Sequence, residues 1–349
     1  MNDRTDPSGE SAAREATPDA REQAARDFAE AALRQTATRW APASADASFR
    51  RYFRIVVDGR TAVVMDAPPD REDLDAFIDV AHRLDRAGLN VPAIEAEDRD
   101  NGYLLLSDLG TTPYHHLLDA SNAARLFDDA LAALIDMQRS TTTDGLPAYD
   151  AALLLKELAL FPDWFLARHW RVEPTEAELD AWEMVCMTLI RWALDQPTVF
   201  CHRDYMPRNL MAVDAARGGR SPGILDFQDA VVGPIAYDPV CLFRDAFLSW
   251  PEQRVVAWLE AYRQRAADVG LPVPDDPQLW RRTCDFVGTQ RHLKVLGIFA
   301  RIRYRDGKPH YLDDAPRFFG YLTHAIERNP ELAELDRLLD AWRRRAVDA

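Results

Sequence analysis

Strand-like alternation of hydrophobic and polar residues marks the first third of the chain. Two alternating stretches are separated by Asp58-Gly59 and two shorter ones by Asn101-Gly102, and both dipeptides favour tight turns between antiparallel strands. The predicted strands cover residues 49–57, 61–67, 94–97 and 103–106. This third of the chain is therefore expected to form an antiparallel sheet.

Helical spacing, in which apolar residues recur every three or four positions, dominates the rest of the chain. It also predicts one helix before the sheet and one between its strands. The clearest helices cover residues 21–40, 70–88, 122–139 and 290–308. Residues 1–20 are rich in Ser, Pro, Asp, Glu and Ala with few apolar anchors, which is typical of a disordered tail.

A third pattern lies in the middle of the chain, where short apolar stretches end next to polar side chains. Asp204 follows one such stretch, Asn209 precedes a second and Asp226 ends a third. Gly218-Gly219 indicates a hairpin between the last two stretches, so the three side chains are expected at neighbouring strand ends. One carboxylate can accept a proton, while an amide and a second carboxylate can hold magnesium. Phosphoryl transfer needs these groups together.

Each of these residues alone has an ordinary alternative role as a turn former or helix cap. Together, the pattern His-x-Asp-x-x-x-x-Asn from His202 to Asn209, followed by Asp226, resembles the catalytic and metal-binding loops of the aminoglycoside phosphotransferase family. The resemblance implies an α+β, protein-kinase-like bilobal fold. A small N-terminal lobe with the antiparallel sheet, residues 21–107, would bind the nucleotide. A mainly helical C-terminal lobe, residues 108–349, would carry catalysis and substrate binding.

The same resemblance implies roles for individual residues. Asp204 would be the catalytic base, and Asn209 and Asp226 would bind Mg²⁺ against the β- and γ-phosphates of ATP. His202 would orient the catalytic loop rather than shuttle protons. Asp238 would bond to His202 or to the loop backbone.

The chief departure from the family pattern is a missing lysine. Kinases of this fold place a Lys, or sometimes an Arg, on the third strand to contact the ATP phosphates, but this chain has no lysine before Glu95. We expect one of Arg50, Arg51 and Arg54 to supply the charge, with Arg51 on the opposite strand face from the other two. The alternative is solvent-exposed charge on the strand. Glu72 occupies the region of the glutamate that pairs with the family lysine.

Position within the family pattern implies further nucleotide contacts. Ser48, in the loop of residues 44–48, would meet a phosphate oxygen together with backbone N–H groups. Backbone groups near Ser107 and Leu109 would bond the adenine edge where the chain leaves the sheet. A plain surface hairpin and an ordinary strand exit are the respective alternatives.

Candidate acceptor-binding residues lie in the expected C-terminal lobe and are mostly basic. They are Asp229, Arg244, Arg291, Lys294 and Arg301. The last three form a stripe on one helix, which would repel polycationic aminoglycosides but not a neutral or carboxylate-bearing sugar. A solvent-exposed basic face is the alternative, and Arg244 with Asp245 can instead be a buried ion pair. Aromatic residues between 161 and 170 would either line the acceptor site or pack in the core.

Whole motifs narrow the resemblance to family members that phosphorylate N-acetylmuramate and N-acetylglucosamine at C1 in peptidoglycan recycling. These motifs are SFRRYFR, VVMDAPP, LLLSDLG, RDYMPRNL, LDFQDAVVGP, LFRDAF and QRHLKVLGIFAR. We therefore expect transfer of the ATP γ-phosphate to the anomeric hydroxyl of an amino sugar. Two alternatives stay open: a kinase of the same fold for another small alcohol or sugar, and a nucleotide-binding pseudokinase, which the missing lysine would fit.

Composition and charge limit the remaining possibilities. A formal net charge of -15 argues against nucleic acid as a partner, because phosphate backbones require a basic surface. The four cysteines lack CxxC spacing, as expected of reduced core residues. No apolar run approaches the ~18 residues of a membrane span, and no basic-then-apolar leader begins the chain. We expect a cytoplasmic monomer whose partners are ATP and a small-molecule amino sugar, with no nucleic acid and no membrane.

Overall fold

The computed structural model describes residues 19–44, 49–213 and 220–347. Three predictions fall wholly or mostly outside these residues: the disordered tail, the contact of Ser48 with a phosphate, and the turn at Gly218-Gly219. The described residues divide into two compact units.

The first unit comprises the described residues up to Leu74 together with Ile94–Asp108, and it is built on five strands. They are β1 Arg39–Ser44, β2 Arg51–Val57, β3 Arg60–Asp66, β4 Ile94–Asp98 and β5 Tyr103–Ser107. Their order in the antiparallel sheet is β1-β2-β3-β5-β4. Helix α1, Ala20–Leu33, buries Ala25 and Ala29 in the apolar cluster of this unit. Phe28 and Leu33 of the same helix pack against that cluster as well.

The hairpin between β2 and β3 has the turn that its sequence predicts. Asp58 (φ 48°) and Gly59 (φ 77°) are both left-handed, as a two-residue turn between twisted strands requires. Gly102 is also left-handed, and a Cβ there would lie 1.9 Å from the carbonyl oxygen of Ala67. The predicted antiparallel sheet and its two turns are therefore confirmed.

The prediction of a helix continuing to Trp40 is wrong. Helix α1 ends at Leu33, Arg34 is left-handed, and strand β1 follows. The Trp40 ring stacks on Phe53 of β2 at a centroid distance of 4.8 Å. Pro42 is tolerated because β1 is an edge strand, where a missing N–H leaves no neighbour unpaired.

The second unit comprises Asp75–Ala93 together with the described residues from Leu109 onward, and it is mainly helical. Its helices are α2 Leu74–Arg86 (whose first residue ends the first unit), α3 Tyr114–Leu117, α4 Ala123–Ser140, α5 Ala151–Leu158, α6 Glu176–Leu194, α7 Tyr237–Phe243, α8 Glu252–Asp268, α9 Pro277–Asp306, α10 Ala315–Arg328 and α11 Ala333–Val347. A π-helical segment, Phe161–Trp170, follows α5. Two small antiparallel sheets complete the unit. They pair β6 Thr198–Cys201 with β9 Val231–Pro234, and β7 Leu210–Met211 with β8 Gly223–Ile224.

Helix α2 begins later than predicted. The sequence predicts a helix from residue 70, but the N–H groups of Arg71 and Glu72 donate instead to the carbonyl oxygen of Pro68, at 2.9 and 3.0 Å. This turn delays the helix to Leu74.

The long helix α9 forms the centre of the second unit's core. Leu293, Leu296 and Ala300 are fully buried, as their spacing predicts. A Cβ at Gly297 would lie 2.4 Å from both the carbonyl carbon and oxygen of Leu160. Only glycine therefore permits α9 to approach the backbone that leads into the π-helical segment.

Aromatic side chains of that segment contribute to the same core. Phe161 and Phe165 are buried and stack at 5.3 Å, and Phe161 also stacks on Trp182 of α6 at 5.6 Å. Of the two predicted alternatives for these residues, packing in the core is the one observed.

A buried ion-pair network joins α9 to its neighbours. Asp285 accepts hydrogen bonds from Arg244 at 2.8 Å, from Arg328 at 2.7 Å and from Asn329 at 3.0 Å. Arg244 thus belongs to a buried ion pair, but with Asp285 rather than with Asp245. Its guanidinium is 1% exposed, so the prediction that Arg244 binds substrate has no structural support.

Two further observations match the composition. All four cysteines are free and buried, as predicted. Within the described ranges, no helix is long and apolar enough to cross a membrane.

Substitution of two helical glycines by alanine is expected to have opposite effects on stability. Gly297→Ala should destabilise the fold by about 1–3 kcal/mol, because the new methyl group meets backbone atoms that cannot move aside. Gly320→Ala on α10 should stabilise it by about 0.5–1 kcal/mol, since nothing lies within 4 Å of its Cβ position. Thermal unfolding of both variants tests this, and a shift of the melting temperature in the same direction for both would contradict it.

Candidate active site

Two short sheets bring the predicted catalytic residues together. Asp204 lies in the loop after β6, Asn209 ends a 3₁₀ turn before β7, and Asp226 follows β8. The side-chain amide of Asn209 donates to the Asp204 carbonyl oxygen at 2.9 Å and to the Asp226 carboxylate at 3.2 Å. The predicted grouping at neighbouring strand ends is thus what the structure shows.

Asp226 is held in an uncommon backbone conformation. Its φ of 64° is left-handed, which Asp tolerates better than most residues. The preceding residue, Leu225, donates its N–H to the carbonyl oxygen of Asn209 at 2.9 Å. Gln228 donates its side-chain amide to the Asp226 carboxylate at 2.9 Å. Sequence reasoning missed Gln228. The one signal that could have identified it is its position two residues after Asp226.

Asp238 on α7 fixes the backbone of the catalytic loop. Its buried carboxylate accepts the N–H groups of His202 and Arg203, at 2.7 and 2.9 Å. The predicted bond from Asp238 to the loop backbone is therefore confirmed. Because two consecutive amides are bonded by one carboxylate, the loop can hold the left-handed φ of 73° at Arg203.

His202 lies beneath the loop and is fully buried. Burial lowers the pKa of its imidazole below the usual value, so the ring is neutral at physiological pH. Its Nδ1 accepts the backbone N–H of Asp204 at 3.3 Å. This geometry supports the predicted role in orienting the loop.

Asp226 and Asn209 together provide the oxygen donors that suit Mg²⁺. A carboxylate and an amide carbonyl are hard ligands, and Mg²⁺ commonly takes only one or two protein carboxylates beside substrate phosphates and water. Over the residues that the structure covers, no group of three or more His, Cys, Asp or Glu is placed to hold a metal. A site completed by the phosphates of a bound nucleotide fits both facts.

The basic stripe of α9 is not an exposed face. Arg291 is 2% exposed and Lys294 8% exposed, whereas Arg301 is half-buried. Lys294 pairs with Glu157 of α5 at 2.8 Å, and Arg291 donates to the Arg244 carbonyl oxygen at 3.2 Å. The alternative of a solvent-exposed basic face is therefore wrong for the first two residues.

Arg291 nevertheless lies within electrostatic reach of the catalytic loop. Burial opposes the charge of its guanidinium, but the Cys241 thiol, the Tyr237 hydroxyl and, after them, the Asp204 carboxylate hold the pKa of Arg291 above its usual value. Asp229, the other candidate acceptor contact, has an exposed side chain beyond Asp226, and its carbonyl oxygen accepts from Arg203 at 3.3 Å.

In the first unit, each of the three candidate arginines pairs with a carboxylate. Arg50 bonds Glu72 at 2.8 Å, Arg54 bonds Asp108 at 2.7 Å, and Arg51 bonds the buried Asp66 at 2.6 Å. The alternative of solvated strand charge therefore does not hold. All three contacts are ion pairs between a guanidinium and a carboxylate.

Strand pairing assigns these arginines to faces. Arg51 shares the face of Phe53, which packs in the cluster with α1, so Arg54 lies on the other face, as predicted, whereas Arg50 precedes the strand. Met65, one of the two residues in the expected place of the lysine, is paired with Tyr52 on that other face and is fully buried.

The remaining residues predicted to contact the nucleotide lie where the chain leaves the sheet. Ser107 is the last residue of β5, and Leu109 follows two residues later; both are half-buried. Their predicted bonds to adenine stay predictions.

Sequence reasoning missed one buried hub of the second unit. Glu157 on α5 pairs with Arg203 of the catalytic loop and with Lys294 of α9. No local signal marks Glu157, because its partners are distant in sequence.

Comparison with known sequences shows the family. The phosphotransferase enzyme family, APH, matches residues 39–282. An N-acetylmuramate/N-acetylglucosamine kinase of Pseudomonas aeruginosa is 55% identical over 298 residues, which are 85% of this chain and 87% of that protein. A kinase of the same name from Neisseria meningitidis is 42% identical over 303 residues, 85% of this chain and 88% of that protein.

Comparison with solved structures confirms the predicted protein-kinase-like fold. Choline kinase LicA from Streptococcus pneumoniae has a TM-score of 0.59 at 14% identity, covering 87% of this chain and 99% of that one. An aminoglycoside phosphotransferase APH(4)-Ia variant, in a ternary complex with ADP and hygromycin B, has a TM-score of 0.58 at 14% identity, covering 87% and 98%. At such identities these likenesses show the fold alone. With the sequence match, they establish that this chain belongs to the phosphotransferase enzyme family.

Proposed function

We propose that this protein is an ATP-dependent sugar kinase that phosphorylates the anomeric C1 hydroxyl of N-acetylmuramate and N-acetylglucosamine. The observation that carries the proposal is the grouping of Asp204, Asn209 and Asp226 by direct hydrogen bonds. The names of relatives at 55% and 42% identity support the choice of acceptor. In the cell, the protein would act as a cytoplasmic monomer in the recycling of cell-wall sugars.

The mechanism is a direct, in-line phosphoryl transfer without a covalent enzyme intermediate. Asp204 accepts or orients the proton of the C1 hydroxyl, so that the oxygen attacks the γ-phosphate of ATP. Asn209 and Asp226 would hold Mg²⁺, which neutralises charge on the β- and γ-phosphates when bound. Their bonds to each other and to the loop keep these donors in place before substrates arrive.

Arg50 is the best replacement for the missing strand lysine. In kinases of this fold a strand lysine pairs with a glutamate while it contacts phosphates. Here Glu72 pairs with Arg50, which places a cation next to the family's glutamate position although the third strand has no lysine. Arg54 lies on the face of β2 opposite Arg51, pairs with Asp108 and is the second choice. Arg51 lies on the α1 face, where Asp66 engages it.

The other nucleotide contacts follow the family pattern. Ser48 would meet a phosphate, and backbone groups at Ser107 and Leu109 would hold adenine. Each is proposed on sequence position alone.

For the acceptor, Arg291 is a candidate that would act through its charge rather than by direct contact, because it is only 2% exposed. It carries a buried positive charge near Asp204, which suits an acceptor with a carboxylate such as the lactyl group of N-acetylmuramate. Asp229 and Arg301 are further candidate contacts. Lys294 is already neutralised by Glu157, so its charge would act on the sugar only indirectly.

The proposed activity predicts a definite acceptor profile. With ATP and Mg²⁺, the protein should phosphorylate N-acetylmuramate and N-acetylglucosamine and yield an acid-labile 1-phosphate, while kanamycin should be a poor acceptor. Asp204→Asn should lower kcat by roughly 10²–10⁴-fold, because the base is lost while its shape is kept. A coupled ADP-release assay with product analysis by phosphorus NMR measures both effects.

Two results would contradict this assignment. Phosphorylation of another small alcohol in preference to both amino sugars would indicate a different kinase of the same fold. Nucleotide binding with no transfer to any acceptor would indicate a pseudokinase.

Replacement of the three arginines one at a time should separate their roles. Arg50→Ala should raise KM for ATP and lower kcat more than Arg54→Ala or Arg51→Ala, because only Arg50 pairs with Glu72. Arg50→Lys should recover part of the loss, since it keeps the charge. Arg51→Ala should mainly lower the melting temperature, because it leaves the buried carboxylate of Asp66 with one arginine fewer. Equal ATP kinetics in Arg50→Ala and the unaltered protein would rule out the replacement.

A further inference from the structure

Glu157 is a buried carboxylate on α5 that several side chains of the second unit approach. Lys294 lies 2.8 Å from its Oε1, and Gln290, one turn earlier on α9, donates to Oε2 at 3.0 Å. Tyr149 donates its hydroxyl to Oε2, and Arg203 pairs with Oε1. Glu157 is only 5% exposed.

Glu157 is an anion at neutral pH in spite of its burial. Burial opposes ionisation, but the charges of Lys294 and Arg203 outweigh it and hold the pKa of Glu157 at about 2. One charged carboxylate therefore pairs with two cations, one from the helical core and one from the catalytic loop.

Arg203 connects that anion to the reacting groups. It comes immediately before Asp204 and is left-handed, with φ 73°. Its guanidinium pairs with Glu157, lies over the Tyr149 ring at 5.4 Å and donates to the carbonyl oxygen of Asp229 at 3.3 Å. One side chain thus joins helix α5, the catalytic loop and the loop that follows Asp226.

We propose that Glu157 is a positioning residue for phosphoryl transfer, which acts on Asp204 through Arg203. The inference rests on the proposed function, because that function names the reaction that Glu157 would affect. The loop geometry from which it is argued is independent of that function. A left-handed residue other than glycine persists only where its surroundings hold it. Asp238 accepts the backbone N–H of Arg203, and Glu157 pairs with the guanidinium at the end of the Arg203 side chain. Together they fix the conformation of the residue that precedes Asp204.

Loss of the Glu157 charge should release this arrangement. Glu157→Gln keeps the shape but leaves Arg203 and the buried Lys294 as two cations that repel each other without this carboxylate. The Arg203 side chain is 17% exposed and can turn toward water. The backbone before Asp204 would then no longer be held in one conformation. The proposed metal ligands Asn209 and Asp226 would keep the hydrogen bond between them.

The test compares Glu157→Gln, Arg203→Met, the double variant and Gln290→Met. Gln290→Met is the matched control, because the hydrogen bond that it removes goes to the same carboxylate and not to Arg203. For each variant, kcat and both KM values are measured with the acceptor that the unaltered protein phosphorylates. The fraction of chains that bind ADP is measured by titration calorimetry, which separates slower catalysis from partial unfolding.

Glu157→Gln should lower kcat by about 10²-fold, the scale of a ~1 Å misplacement of a reacting group. KM for ATP and the fraction of nucleotide-binding chains should stay close to the unaltered values. The double variant should be no slower than the slower single variant, because both changes break one interaction. Gln290→Met should keep kcat within about twofold, since its uncharged bond is one of several to Glu157.

Hydrogen exchange reads the loop directly and does not depend on finding the acceptor. Amide exchange at His202 and Arg203 should be faster in Glu157→Gln than in Gln290→Met. Unchanged loop exchange in Glu157→Gln would overturn the inference, even if no acceptor were turned over. A loss of kcat explained by fewer nucleotide-binding chains, or multiplied in the double variant, would also overturn it. Absence of turnover in the unaltered protein, with faster loop exchange in Glu157→Gln, would count against the proposed function and support the positioning role.

Discussion

One buried carboxylate sets the geometry on which the rest of the active site depends. Asp238 accepts the backbone N–H groups of His202 and Arg203, so the chain leaving β6 turns in a fixed way before Asp204. The Asp204 carbonyl oxygen then accepts the side-chain amide of Asn209, which also reaches Asp226. Hydrogen bonds of this kind are short and are little screened in the interior. The three functional side chains therefore depend on a brace that would not itself touch a substrate.

Charge pairing is the second theme of the molecule. Net charge is strongly negative, yet candidate basic side chains in each unit are paired with carboxylates, as in Lys294–Glu157 of the second unit and Arg50–Glu72 of the first. Buried pairs contribute uncertain net stability, but removing one partner is costly because it leaves an unpaired charge. Such pairs hold side chains in one position, which is what phosphoryl transfer requires of groups that act mainly by position and charge.

Short-range signals account for what the sequence predicted well. Asp58-Gly59 and Asn101-Gly102 fix hairpin turns locally, and the spacing from His202 to Asn209 carries the catalytic loop. Interactions between distant residues account for what it missed. Trp40 joins a strand because it stacks on Phe53, and no helical pattern can show that contact in advance.

The same limit applies to the candidate site. The basic stripe of α9 was visible as a pattern, but the partner of its Lys294 is Glu157, which lies more than a hundred positions earlier in the chain. The pairing of Arg50 with Glu72 depends on the turn at Pro68 that delays α2. Residue types and spacing therefore predicted the grouping of Asp204, Asn209 and Asp226, whereas the charge pairing around them required the fold.

The most direct test of the central claim is the Mg²⁺ dependence of ADP binding, measured by titration calorimetry. The claim is that Asn209 and Asp226 hold the metal while Asp204 serves the acceptor. Mg²⁺ should strengthen ADP binding by roughly tenfold or more, about 1.4 kcal/mol, in both the unaltered protein and Asp204→Asn. In Asp226→Asn that gain should vanish. A full Mg²⁺ effect in Asp226→Asn, or its loss in Asp204→Asn, would contradict the assignment of base and metal ligands.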